Sequence, residues 1–154
     1  MAIIPIITSE YHLKSRCEME IPKELDDLCY KVIGACIEVH NELGPGFPEE
    51  YYQKALELEF TNRQVSYEPQ KPVHMLHKGT QIGLNYLDFV IDEKLILEIK
   101  SANALNEVHL FQTLKYLAVA KYPLALLVNF GQSKLEKKRV LPTLKMQEFR
   151  GRER

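Results

Sequence analysis

A chain of 154 residues with 45% hydrophobic and 27% charged side chains can bury one real hydrophobic core and has the balance of a soluble globular domain. A formal net charge of −1 excludes any reading of nucleic-acid or membrane binding from bulk charge alone. The charge is unevenly spread: from Lys134 to Arg154, eight Lys or Arg stand against three Glu, a balance of +5, so the preceding residues carry −6.

The opening "MAIIPIIT" is apolar but short, lacks a basic flank and runs into charged residues, so it reads as neither a signal peptide nor a membrane span. An N-terminal strand or docked arm over residues 1–22 is expected instead. Residues 23–44 follow with apolar side chains at helical spacing (Leu25, Leu28, Val32, Ala35, Cys36, Val39, Leu43), and Gly44 and Pro45 end that helix. The three cysteines, Cys17, Cys29 and Cys36, are odd in number and have no C-x-x-C spacing, which argues against a disulfide framework or a zinc site. Small core thiols in a reducing cytoplasm are the expectation.

"GPGFP" is a tight connector to a second helix over 49–62. The pattern then turns extended, with strands expected at 72–78, 83–91 and 95–100, separated by turn residues at 78–80 and 92–94. A third helix is expected over 106–121, closed by Tyr122 and Pro123. "LALLVNF" has the almost wholly apolar composition of a strand buried on both faces. A last strand over 135–141 carries much of the basic cluster, and a basic tail over 142–154 follows. Two helices, a three-strand meander, a helix and further strands make an α/β or α+β fold with helices packed on a mixed central sheet.

Inside the meander, "LDFVIDEKLILEIKS" interrupts its hydrophobic residues with Asp88, Glu98 and Lys100. Ionised groups in such a stretch are costly unless something pairs with them. Side chains alternate faces along a strand, so Leu87, Phe89 and Ile91 share one face while Asp88 lies on the other, with Glu98 and Lys100. Asp88 and Glu98 can stand opposite each other on a regular antiparallel pair only if Asp92, Glu93 and Lys94 form a three-residue turn, pairing Ile91 with Leu95 and Phe89 with Leu97. A two-residue turn would need a bulge near Asp88. Two readings stay open on spacing alone. Lys100 bridges the acids in a structural ion pair between strands, or the carboxylates hold a divalent cation and should approach to roughly 3–5 Å.

The naming motif "GFPEEYY" (Gly46, Glu49, Tyr52), Asp88 with "EIK" (Glu98 to Lys100), "QTLKYL" with Gln112 and Tyr116, and "LVNFGQSKLEKKRV" occur in order between Leu25 and Val140. In this combination the chain resembles the GxxExxY family, a branch of the PD-(D/E)xK nuclease superfamily. Tyr86 or Leu87 stands where the superfamily has its proline. The resemblance implies a restriction-endonuclease-like core over residues 23–141 and a metal-dependent nuclease acting on nucleic acid, DNA rather than RNA. It implies Mg²⁺ or Mn²⁺ held by Asp88, Glu98 and Glu49, with Lys100 positioning and activating the attacking water. Gln112 and Tyr116 would face the site, orienting Lys100 or the nucleic-acid backbone.

Glu49 falls in the first turn of a helix, where the macrodipole also favours a carboxylate. Tyr52 reads as a core tyrosine whose hydroxyl meets a carboxylate, with a phosphate contact as the other reading. Lys138 and Arg139, with Lys137, are candidates for phosphate contacts; solvated surface is the plain alternative. His40 is a candidate neighbour of Glu49. His109 reads as a helix-surface histidine, and the odd spacing of His74 and His77 makes a two-histidine metal site improbable. The competing function is a non-catalytic nucleic-acid-binding or protein-interaction module that kept the fold. With no separate DNA-binding domain in view, action as a homodimer or within a larger complex is expected.

Overall fold

The computed structural model of the protein describes residues 6–7 and 21–143. Its elements are β1 (Ile6–Ile7), α1 (Lys23–Leu43), α2 (Glu49–Asn62), β2 (Tyr67–His77), β3 (Thr80–Ile91), β4 (Leu95–Lys100), α3 (Glu107–Ala120), β5 (Leu124–Asn129) and β6 (Glu136–Val140). Pro22 precedes α1, whose first turn carries Glu24 and Asp26 against the helix dipole, and Gly44 at φ 72° turns the chain out of it.

The strands form one six-stranded mixed sheet in the order β1-β6-β5-β4-β3-β2. The β4–β5 and β1–β6 pairs are parallel and the others antiparallel. Parallel β4 and β5 need a crossover, and α3 supplies it. Helices α1 and α2 pack on one face through Cys29, Val32, Cys36, Tyr52, Leu56 and Phe60, against Phe89, Leu97, Ile99, Leu126 and Val128. On the other face, Leu114, Tyr116 and Leu117 of α3 pack against Leu87, Val90, Ile96, Ala125 and Leu127. Every residue of β5 is buried, as its apolar run implies. The result is the expected α/β architecture.

Three details differ from the sequence reading. First, β2 and β3 begin earlier than expected, at Tyr67 and Thr80. Pro69 and Pro72 argue against a strand, yet β2 is an edge strand, where a missing N–H need not cost a ladder bond. Lys78 and Gly79, both at positive φ, close the β2–β3 hairpin in the twist-matched form. Second, Leu87 does not share a face with Phe89 and Ile91: it packs with Val90 and Ile96 on the α3 side. The pleat is interrupted at Asp88. Gln70 stands across from it at φ 49°, and neither residue joins the ladder between Pro69–Phe89 and Lys71–Leu87. Third, the basic strand is not uniformly solvent-facing, for Arg139 is buried and paired with Asp26.

Among the described residues the free thiols Cys29 and Cys36 are buried. Desolvation pushes them up to about 11 and about 12, so they are protonated core side chains. Cys17 and the tail beyond residue 143 lie outside the described residues. Within those residues, no helix is long and apolar enough to cross a membrane.

Candidate active site

The β3–β4 turn fixes the geometry of the acids. Ile91 pairs with Leu95, Val90 with Ile96 and Phe89 with Leu97, leaving Asp92, Glu93 and Lys94 as the three-residue turn that strand parity requires. Asp92 and Glu93 take φ 50° and 58°, and the Lys94 N–H closes on the Ile91 carbonyl at 3.0 Å.

Beyond Phe89 the backbone ladder stops and the acidic side chains take its place. The Asp88 N–H donates to Glu98 Oε1 at 3.1 Å, and the Ile99 N–H donates to Asp88 Oδ2 at 2.8 Å. Each carboxylate is thus oriented by a backbone amide of the other's strand or its neighbour. Asp88 and Glu98 are side by side, as the parity argument demands.

Their electrostatics follow from that placement. Glu98 is only 3% exposed. Desolvation, then the charge of Asp88, holds its carboxyl well above the ordinary range. Asp88 is raised chiefly by desolvation as well; the amide of Ile99, Glu98 and Lys100 oppose this, and Glu49 adds to it. Burial and mutual repulsion thus oppose the doubly charged pair unless a cation offsets it.

Lys100 is near enough to lower both acids. Among the described residues, however, no ion pair within 4.0 Å joins it to either. The lysine-bridged ion pair, one of the two readings open on spacing, is therefore not the arrangement observed.

Tyr116 faces the same acids from α3. Its hydroxyl accepts from Gln112 Nε2 at 3.2 Å, and its pKa is raised by burial and then by Glu98 and Asp88. Gln112 orients Tyr116; no bond to Lys100 is seen.

The connector before α2 explains the spacing of "GFPEEYY". Gly46 takes φ 101°, a conformation that disfavours side chains. Tyr52 is fully buried, stacked on Phe130 at 4.5 Å between centroids. Its hydroxyl donates to the Gly44 carbonyl at 2.5 Å and accepts the Phe47 N–H at 3.3 Å. The expectation that this hydroxyl meets a carboxylate or a phosphate is corrected: it ties down a backbone connector. Ser101, next to Lys100, donates to the Phe47 carbonyl at 2.6 Å. Glu49 is thereby delivered from the start of α2 toward Asp88. It does not complete a preformed cluster, for no group of three His, Cys, Asp or Glu poised for a metal occurs among the described residues. The expected three-carboxylate ligand set reduces here to Asp88 and Glu98, with Glu49 nearby.

Arg139 is also corrected. It is 7% exposed, its Nη2 pairs with Asp26 at 2.5 Å, and it lies 5.5 Å from the Tyr30 ring centroid. Strand parity turns it to the α1 face, away from the acids; Lys138 remains on the α3 face, in the row Glu98–Leu127–Lys138. His40 bonds the Gln132 carbonyl at 2.8 Å and so holds the β5–β6 loop rather than Glu49. His109 forms a capping box with Asn106.

Four structural residues escaped the sequence reading. Gln53 bonds the Asp88 carbonyl from α2 at 3.4 Å and Gln70 at 3.4 Å, spanning the break in the pleat. Ser101 ties β4 to the connector. Asn129, fully buried, bonds the Ala102 N–H and carbonyl at 2.9 and 3.0 Å and Glu136 at 3.2 Å, fixing the segment that leads from Lys100 to α3. Gly131 lies so close to the Ala102 backbone that a Cβ would collide with it. The one available signal was a polar Asn inside an apolar strand, since a buried amide must find partners.

The model of the PD-(D/E)XK nuclease superfamily matches residues 26–140. The chain belongs to the PD-(D/E)XK nuclease superfamily. No curated protein and no solved structure matches it. As a superfamily member it has the mixed sheet flanked by helices, and Asp88, Glu98 and Lys100 sit on adjacent central strands of that sheet.

The donor set suits a hard divalent cation. Both acids offer carboxylate oxygens, one on each held by a backbone amide, and the two carboxyls are close enough to hydrogen-bond each other, a contact that a bound cation would replace. Mg²⁺ binds through one or two carboxylates and keeps its remaining positions for water and phosphate, so a third preformed protein ligand is not required.

Proposed function

We propose that the protein is a divalent-metal-dependent nuclease of the GxxExxY type, hydrolysing phosphodiester bonds of nucleic acid, with DNA favoured over RNA by the motif resemblance. The observation that carries this reading is the entry of the Asp88 and Glu98 carboxylates into the β3–β4 ladder, with Lys100 beside them and, among the described residues, no ion pair within 4.0 Å joining it to either. Two adjacent buried acids that Lys100 does not close onto gain from a divalent cation, and an ion-pair scaffold would have no use for them.

Asp88 and Glu98 would hold Mg²⁺ or Mn²⁺, with Glu49 approaching from α2. When bound, the ion supplies Lewis-acid stabilisation of charge on the phosphate and the leaving oxygen. Lys100 orients the attacking water for in-line displacement and offsets charge at the scissile phosphate. Tyr116, held by Gln112, walls the site on the α3 side. Lys138 contacts a flanking phosphate from the same sheet face.

The test is Mg²⁺- or Mn²⁺-dependent cleavage of a panel of single- and double-stranded DNA and RNA, with Lys100→Ala and Glu98→Gln as controls. Metal-dependent cleavage lost in both variants is expected. Binding without any metal-dependent turnover would favour the non-catalytic module.

A further inference from the structure

Phe47 and Tyr51 are two large aromatic side chains left 41% and 50% exposed. They stack on each other, with ring centroids 5.7 Å apart and planes inclined by 24°. Phe47 also meets the buried Tyr52 ring edge-on at 6.4 Å. The backbone beneath is fixed on both sides: the Phe47 N–H is held by Tyr52, its carbonyl by Ser101, and Gly44 and Gly46 set the turn. This is a preformed aromatic surface rather than a pair of loose side chains.

Its location decides what it fits. Ser101 follows Lys100, and Phe47 and Tyr51 bracket Glu49, so the aromatic pair adjoins the candidate site. Glu49 and Glu50 lie between the two rings in sequence and would repel a phosphate. A flat, uncharged π-system beside a phosphodiester site has the chemistry to receive a nucleobase. Bases within a duplex have both faces stacked and present only edges; an unpaired base offers its face.

We infer that Phe47 and Tyr51 form a stacking platform for an unpaired nucleobase adjoining the scissile phosphate, making single-stranded or locally unpaired nucleic acid the substrate class. This inference rests on the nuclease reading for the phosphate, but the platform can be tested without turnover.

The experiment measures binding of a short oligothymidylate, an abasic strand of equal length and a blunt duplex, all in EDTA, to the full chain and to Phe47→Leu/Tyr51→Leu. Leucine keeps apolar bulk and removes the π-face. The native chain should prefer the base-bearing strand over the abasic strand by about 5- to 150-fold, the range for one stacked base. The double variant should reduce that preference to within about twofold, with abasic-strand and duplex affinities unchanged. If circular dichroism shows the double variant unfolded, Tyr51→Leu alone should still lower the preference.

An unchanged preference in the folded variant, no preference in the native chain, or no binding to any strand overturns the platform. So does a change in sedimentation of the variant with base preference intact, which would show that a second copy covers the rings. Absence of cleavage in Mn²⁺ with the preference intact supports the platform and removes the nuclease reading, so the two failures are separable.

Discussion

The two ends of the β3–β4 pair are built on different rules. At the turn end, Phe89, Val90 and Ile91 pair residue for residue with Leu97, Ile96 and Leu95, and all six side chains are buried apolar groups. At the other end, within one residue of Phe89, backbone pairing is replaced by carboxylate-to-amide bonds from Asp88 and Glu98. The first end is where the sheet is stable on its own. The second uses that stability to hold two acids where burial and mutual repulsion oppose them. A strand pair of this kind separates the part that specifies register from the part that specifies chemistry.

The sharpest way to break the comparison is to change charge at one end only. Glu98→Gln keeps an oxygen for the Asp88 amide, and Asp88→Asn keeps one for Ile99, so each should fold. Both should lower turnover by at least about 10²–10³-fold, the scale for losing one preorganised electrostatic group, and Lys100→Ala should match them. At the turn end, Glu93→Gly replaces a side chain at φ 58° by the residue best suited to it, and turnover should stay within about twofold. Steady-state kinetics on one cleaved substrate checks all four. Equal losses at both ends would mean that the acids act only through strand pairing.

Metal and pH sharpen the same contrast. At 100 times its dissociation constant, Mn²⁺ should stabilise the native chain by about 2.7 kcal/mol, and Glu98→Gln should abolish that gain in thermal melts. Both acids have folded pKa values above their ordinary range, so between that range and the raised values the folded chain binds more protons than the unfolded one. Stability from the pair is therefore present at low pH and lost as pH rises through the folded values. Over the window just above the ordinary carboxylate range, the metal-free protein should become more stable as pH falls, and Asp88→Asn/Glu98→Gln should flatten the trend. A metal-free native chain that loses stability over that window would mean the acids are satisfied as ions.

A smaller effect is expected at the connector. Tyr52→Phe removes the hydroxyl bonds to Gly44 and Phe47 while keeping the ring on Phe130. It should cost about 1–2 kcal/mol in denaturant melts. Turnover should fall as Glu49 loses its fixed approach. Full activity at that stability cost would leave Glu49 without a role.

How much of this was legible in the sequence follows from periodicity. The helices, β4 and β5 were readable because their apolar spacing is strong, and strand parity narrowed the β3–β4 connection to a three-residue turn or a bulge near Asp88. The beginnings of β2 and β3 were not readable, since Pro69, Pro72 and polar residues are tolerated on an edge hairpin for reasons that exist only once the sheet is assembled. Leu87 was misplaced because the break in the pleat at Asp88 depends on Gln70 across the strand. Tyr52 and Arg139 were assigned the wrong partners for a common cause. Side-chain type shows what a group can bond, and only the packed fold shows that a tyrosine hydroxyl meets a carbonyl or that an arginine turns inward to Asp26.

The smallest predicted effect tests that last point on β6, where neighbouring basic residues face opposite ways. Lys138 lies in the row Glu98–Leu127–Lys138 on the α3 face, two strand spacings or about 10 Å from the acid. Lys137 pairs with Val128, whose side chain packs in the α1–α2 core, and so shares the face of Arg139. If a nucleic-acid strand crosses the sheet edge past Glu98, Lys138 can neutralise one of its phosphates and Lys137 cannot. Lys138→Ala should then lower the slope of log affinity against log salt by about 0.7–0.9, the contribution of one phosphate contact, for every sequence tested. Lys137→Ala should leave the slope unchanged within error. Equal slopes for both variants, changed or unchanged, would show that strand parity does not decide which lysine meets phosphate and would move the binding surface off this face of the sheet.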